Sequence, residues 1–314
     1  MNLTKAGRKR TLVGLAFASP WLIGLVIFGI YPILASFYFS FCRYNILRPP
    51  RFTGLENYRL LLTDDPLFWT SLWNTAWLAA IGLPLQLGFA LAAAMLLNAR
   101  VRGLSFFRTA FYLPTLVPAV ATGVVWLWIL NPDYGLINSL LHLLHIPSPG
   151  WMSDTRWSKP ALVLVTIWGM GGTMVIFLAG LQQVPAALYE AALVDGANGW
   201  QRFRNVTLPV ISPVILFNLI MGIIGSFQYF TTVYVMTSGV GVSGTSGTGA
   251  ANIGGPENST MVYPLYLYQN AFLYFRMGYA SAMAWILFLL IAGLVAVVFQ
   301  TSGWVNYESR DERA

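Results

Sequence analysis

Apolar positions in this chain do not recur with the period of 2 or 3.6 that marks a half-buried strand or helix; they gather into long unbroken runs. Six runs reach the about 20 residues needed to cross a bilayer as a helix: residues 11–41, 68–97, 109–130, 161–181, 210–235 and 277–299. The pattern predicts an all-α polytopic membrane protein with six transmembrane helices. Lys5, Arg8, Lys9 and Arg10 precede the first run as they would in a secretory signal. Its apolar part far exceeds the ~7 to 15 residues of a signal h-region, so it reads as a retained anchor. The expected organisation is a tail, first helix and first outer loop over 1–66, a five-helix core over 67–300, and a C-terminal tail over 301–314.

The connections differ in character. Residues 43–66 and 131–160 mix prolines, aromatics and short amphipathic runs, which predicts small ordered interfacial helices. Residues 237–260 are Gly, Ser and Thr almost throughout and read as a flexible loop. With both termini inside, the cytoplasmic segments hold eleven Lys and Arg: four in the N-terminal tail, Arg100, Arg102, Arg108, Arg202, Arg204, Arg310 and Arg313. The outer segments hold seven, Arg43, Arg48, Arg51, Arg59, Arg156, Lys159 and Arg276. The positive-inside bias thus places both termini in the cytoplasm of a bacterial-type plasma membrane.

Composition removes several function classes. Hydrophobic residues make up 57% of the 314 and charged residues only 9%, against about a quarter charged in a soluble domain. The net charge of +7 comes from residues scattered at the ends of apolar runs, which suits lipid head groups and gives no nucleic-acid patch. Cys42, His142 and His145 form no metal-ligand spacing. Lys5, Lys9 and Lys159 are the only lysines and none follows a glycine, so no phosphate-binding P-loop exists here. No nucleophile, base and orienting acid stand out, and no catalytic residue is assigned. The six runs lack Asp, Glu, Lys, Arg and His, which argues against a proton relay and for an external energy source.

Small and uncharged polar residues do occur in the runs. At ~100° per residue, Asn218, Gly222, Gly225, Tyr229 and Thr232 of the fifth run fall within an arc of about 80°, with Gln228 flanking it. This stripe suits either helix packing or the lining of a path for a hydroxyl-rich solute. Gly169, Gly172, Thr173 and Gly180 of the fourth run, and Gly278 with Ala282 of the sixth, read as packing positions. Pro84 and Gln86 predict a kink in the second.

One polar insert, "EAALVDGANGWQRFRNVTLP" over 190–209, breaks the oily pattern. Pro185 suits a first helical turn, residues 186–194 are mostly good helix formers, and Gly196 suits a left-handed helix end. A second short helix over about 198–206, capped by Asn198 or Gly199, runs into Pro209. Leu188, Ala192 and Asp195 share one face of the first helix, and Ala187, Glu190 and Val194 the other. The helix lacks the apolar moment and cations of a membrane-surface helix, whereas alanines and a lone Glu suit close docking to a partner bearing an Arg.

The spacing Glu190-Ala191-Ala192, three residues, Gly196, nine residues, Val206, one residue, Leu208-Pro209 resembles the EAA loop of permease subunits of binding-protein-dependent ABC importers, with Val206 in place of Ile. "WNTAW", "FYLPTLVPAV", "LNPDYGLIN", "AGLQQVP" and "GYASAMAW" resemble the carbohydrate branch of that family, the maltose, multiple-sugar and glycerol-phosphate types. The resemblance implies the type I importer permease fold, with residues 182–209 as the coupling loop. It implies that Glu190, Ala191, Ala192, Asp195, Gly196, Leu208 and Pro209 contact a separate ATPase that binds ATP and Mg. It also implies a second homologous permease subunit, two ATPase subunits and an extracytoplasmic solute-binding protein. The expected function is alternating-access import of a sugar, oligosaccharide or related polyol. The rivals are a glycerol-phosphate importer, an ion-coupled carrier and a structural scaffold. "GGPENST" matches the family segment after the fifth span, but extra Gly and Ser residues precede it.

Overall fold

The computed structural model describes residues 5–99, 103–238 and 253–305. Arg100, Arg102, Arg310 and Arg313, on which part of the charge count rests, lie outside the described residues, as do 239–252 of the Gly-rich loop and 306–314 of the tail. Two compact units emerge, Met1–Asp65 with Leu267–Leu287, and Pro66–Tyr266 with Phe288–Ala314.

In the first unit, α1 (Lys5–Leu25) continues through a π-helical turn (Val26–Ile30) into α2 (Tyr31–Ser40). An antiparallel hairpin follows, β1 (Cys42–Asn45) and β2 (Arg48–Phe52), then α3 (Glu56–Thr63). The hairpin departs from the helices expected over 43–66. Pro49 and Pro50 lie in β2, and a proline fixes φ, lacks an N–H and drives its predecessor into extended backbone. Asn57 on α3 ties the hairpin to the end of α2, its Nδ2 donating to the carbonyls of Ser40 at 2.8 Å and Cys42 at 2.9 Å.

The second unit is built on α4 (Pro66–Asn98), a 33-residue helix that runs through Pro84 without a break. The third run is split: α5 (Leu104–Leu116) and α6 (Ala119–Ile129) meet at 104°. Pro118 is the physical cause, because it holds Val117 at φ −75°, ψ 126°, outside the helical region. After α7 (Leu136–Leu143), the fourth run also bends, by 47°, between α8 (Ser158–Trp168) and α9 (Gly171–Gln182). The insert forms α10 (Ala186–Val194), α11 (Gly199–Arg202), a π-helical turn (Phe203–Thr207) and α12 (Leu208–Val210). It leads into α13 (Ser212–Phe227) and α14 (Thr231–Thr237), and further on come α15 (Tyr263–Tyr268) and α16 (Met277–Gln300), whose residues are divided between the first unit and the second. Among the described residues, four stretches are long and apolar enough to span a membrane, and counting each bent pair as one span gives six.

Packing in this unit follows from small residues. Without water to expel, membrane helices associate through close van der Waals contact. Ala90, Ala93 and Ala94 of α4 are buried against Met174, Phe177 and Leu178 of α9, in a cluster that includes Ile211. Gly171 lies against the backbone of Phe111 and Tyr112, and a Cβ on Gly180 would lie 2.9 Å from Val214 Cγ2.

The described end of the Gly-rich loop is folded tightly. Gly254, Gly255, Glu257 and Asn258 all have positive φ. Asn74 of "WNTAW" holds the turn, its Nδ2 donating to the carbonyls of Asn258 at 2.9 Å and Met261 at 3.0 Å. The Tyr263 N–H donates to Thr75 Oγ1 at 2.8 Å, and burial pushes the Tyr263 phenol pKa up.

Candidate functional site

The elbow over 185–211 carries every residue expected to couple to a partner. Its first helix forms where expected, and Gly196 closes it at φ +75°. Two crossed bonds make the closure rigid: Ala197 N–H donates to Ala192 O at 2.9 Å and Gly196 N–H to Leu193 O at 3.1 Å, the Schellman arrangement that left-handed glycine permits. The next helix begins with a reciprocal cap in which Gln201 N–H donates to Asn198 Oδ1 and Asn198 N–H to Gln201 Oε1. Instead of one helix to residue 206, α11 opens at Phe203 into a π-helical turn.

No residue of α10 is buried. Glu190, Ala191, Asp195, Gly196 and Leu208 are exposed, and Ala192 and Pro209 are half-buried. Val194 is 89% exposed. Glu190 and Asp195 form no ion pair among the described residues. What fixes α10 to the core is Tyr189, whose hydroxyl lies 2.8 Å from Thr207 Oγ1 and whose ring packs with Val206 on the α4–α9 cluster. A nine-residue helix without buried contacts is marginal on its own; here capping and the Tyr189 tether hold it in place.

A cavity of about 570 Å³ opens among α4, the α5–α6 bend, α8, α9, α13 and α14, within the roughly 300–1,000 Å³ of small-molecule sites. Asn218, Gly222, Gly225, Tyr229 and Thr232 all line it. They do so from two segments, because the helix breaks after Phe227 and Gln228 has φ −105°, ψ 9°; the single helical stripe over 218–232 is corrected accordingly. Gln228 is exposed and is not part of the lining, contrary to its expected flanking place. Gly222 has a second role, since Leu83 occupies the space a Cβ there would need.

Residues read as packing also reach the cavity: Gly169 and Thr173 line it, as do Thr166, Thr122, Ser226 and Gln86. Thr166 and Thr173 are seven apart, a spacing that puts both on one helical face and that would have flagged them. Among the described residues the lining contains no carboxylate, amine, guanidinium or imidazole, while Trp168, Phe217 and Tyr229 supply rings. Asn218 Nδ2 donates to Val214 O at 2.9 Å, leaving its amide oxygen for another donor. The Tyr229 hydroxyl is buried without a hydrogen-bond partner among the described residues; Thr166 and Thr232 lie beside it but miss bonding geometry. Such a group is satisfied by something placed in the cavity. Among the described residues no cluster of His, Cys, Asp or Glu could hold a metal ion.

Residues 85–305 match the family model described as binding-protein-dependent transport system inner membrane component. The chain is 40% identical to the probable ABC transporter permease protein YesP of Bacillus subtilis, over 99% of this chain and 97% of that one. It is 35% identical to the probable starch degradation products permease AmyD of Thermoanaerobacterium thermosulfurigenes (88% and 89%). It is 34% identical to the lactose permease LacF of Rhizobium radiobacter (91% and 92%). In fold it is similar to a chain of a bacterial ABC transporter involved in import of the acidic polysaccharide alginate, with a TM-score of 0.78 at 21% identity over 94% of this chain and 96% of that one. The same likeness holds for that transporter with an alginate pentasaccharide-bound periplasmic protein, at a TM-score of 0.77, 22% identity, and 94% and 95% coverage.

Proposed function

The chain belongs to the family of binding-protein-dependent transport system inner membrane components, and from that premise we propose that it is the permease subunit of an ATP-driven importer for a sugar or oligosaccharide. Relatives named for starch degradation products and lactose support a carbohydrate cargo. So does the cavity, in which amides and hydroxyls can pair with sugar hydroxyls and three aromatic rings can cover apolar sugar faces. Asn218, Tyr229 and Thr232 are the side chains assigned to the solute, with Gly222 and Gly225 giving it room. Thr166 and Ser226 join them, and Gln228 stays outside.

The observation that carries the coupling reading is the helix Ala186–Val194, none of whose residues is fully buried, which Gly196 closes at its C-terminus and on which Glu190 is exposed with no ion-pair partner among the described residues. This helix docks on a cytoplasmic ATPase subunit that binds ATP and Mg; the permease itself contributes no nucleotide chemistry. Glu190 pairs with a basic group of the ATPase, Ala191 and Ala192 allow close approach, Asp195 and Gly196 end the contact, and Leu208-Pro209 join the elbow to α12. Closure of two ATPase subunits moves the elbow, and Tyr189 and Val206 pass that displacement to the α4–α9 cluster. A second permease subunit completes the cavity and a solute-binding protein delivers the cargo from outside, with both termini in the cytoplasm.

The test is Glu190→Ala in the reconstituted importer. Solute-stimulated ATP hydrolysis and ATPase co-purification should both fall while the permease keeps its melting temperature. Full activity with normal co-purification would show that the elbow does not dock.

A further inference from the structure

The hairpin Cys42–Phe52 is left over from the transport reading, and its chemistry is unusual for an outer connection. It carries Arg43, Arg48 and Arg51 and no acid, although positive charge is normally scarce on that side of a span. Arg43 and Arg51 are directly opposed across the strands, so two like charges share one face, an arrangement that destabilises a strand pair. Glu56 answers Arg43 at 2.5 Å. Arg48 and Arg51 are exposed and have no carboxylate partner among the described residues.

The turn breaks a second local rule. Two-residue hairpin turns favour Asn and Gly, yet here the turn is Ile46-Leu47, 53% and 85% exposed, with Phe52 exposed beside the arginines. Only Phe41 separates the hairpin from the end of the membrane stretch Val13–Ser40. Rings crowd this junction: Phe37 on Phe41, Phe39 stacked on Tyr44 at 4.6 Å, and Phe41 against Tyr58. Such a belt marks head-group depth. Asn57, bonded to the carbonyls of Ser40 and Cys42, prevents the hairpin from swinging away from it.

We propose that this hairpin is a binding site for the head group of an anionic phospholipid in the leaflet next to it: Arg48 and Arg51 hold the phosphate, and Ile46 and Leu47 enter the acyl boundary. Glu56 already answers Arg43, so phosphate supplies the negative charge that Arg51 opposite it lacks, and lipid covers a hydrophobic turn that water would not favour. The site needs the preceding helix to span the membrane and does not depend on the cargo or the ATPase.

The experiment uses the full chain in its purified complex, reconstituted into phosphatidylcholine vesicles with or without phosphatidylglycerol. Spin-labelled phosphatidylglycerol should be retained in preference to spin-labelled phosphatidylcholine, and Arg48→Gln with Arg51→Gln should reduce that preference about fivefold per arginine, equivalent to ~1 kcal/mol each. A fluorophore on Leu47→Cys, in a Cys42→Ala background, should be quenched by brominated acyl chains. An unchanged preference in the double variant overturns the proposal. So does a fluorophore reached by aqueous iodide and not by brominated lipid, or one shielded only after solute-binding protein is added, which would assign the surface to that protein.

Discussion

Gly196→Ala isolates the stiffness of the elbow from its chemistry. A Cβ at residue 196 meets nothing within 4 Å, so no clash contributes. The whole penalty is the left-handed backbone at φ +75°, which costs a non-glycine residue about 1 kcal/mol or somewhat more. At ~1.4 kcal/mol per tenfold, the capped state of α10 loses about fivefold in population relative to its opened forms. The amides of Gly196 and Ala197, which donate to Leu193 O and Ala192 O, should therefore exchange hydrogen about fivefold faster. Apparent affinity for the ATPase should fall by a similar factor, and the melting of the membrane-spanning core should stay unchanged. Gly196→Asn should lie between, because Asn tolerates this conformation better. Gly199→Ala is the matched control: its Cβ also meets open space and its φ is not positive. Equal exchange rates and equal ATPase affinity in Gly196→Ala and Gly199→Ala would refute the claim that left-handed closure holds the docking helix.

Three further outcomes follow from the packing and the cavity. Tyr229→Phe removes a buried hydroxyl that has no hydrogen-bond partner among the described residues, so thermal stability should hold or rise slightly while solute-stimulated ATP hydrolysis falls; a loss of stability with normal transport would assign Tyr229 to packing. Gly180→Ala should destabilise the core by about 1–3 kcal/mol through overpacking on Val214, and Val214→Ala in the same chain should restore the melting temperature if that contact is the cause. Asn74→Asp keeps the side-chain size but replaces a donor with an anion facing the carbonyls of Asn258 and Met261. It should cost more than Asn74→Ala, whose price is about 1–3 kcal/mol for stranding the carbonyl of buried Met261, and protease sensitivity of the turn over 253–261 reports both.

The sequence by itself determined the elements whose cause is local. Runs of apolar residues need no partner to declare a membrane span, since the bilayer demands a helix of that length. The elbow was equally legible, because Pro185, Asn198, Gly196 and Pro209 act on the backbone beside them. Tertiary structure decided where the runs break and what meets across them. Val117-Pro118 was visible as a dipeptide, but whether a proline bends a helix depends on what satisfies the freed backbone, and α4 runs through Pro84 while the third run turns by 104°. Periodicity put Asn218 and Tyr229 on one face of a continuous helix; they reach one cavity across a break instead. Asn74 and Asn258 stand 184 residues apart and are joined by a hydrogen bond that no local pattern records. Thr166 and Thr173 became cavity residues for the same reason: a hydroxyl on an oily helix serves packing or solute according to the neighbour it faces, and only the folded chain supplies that neighbour.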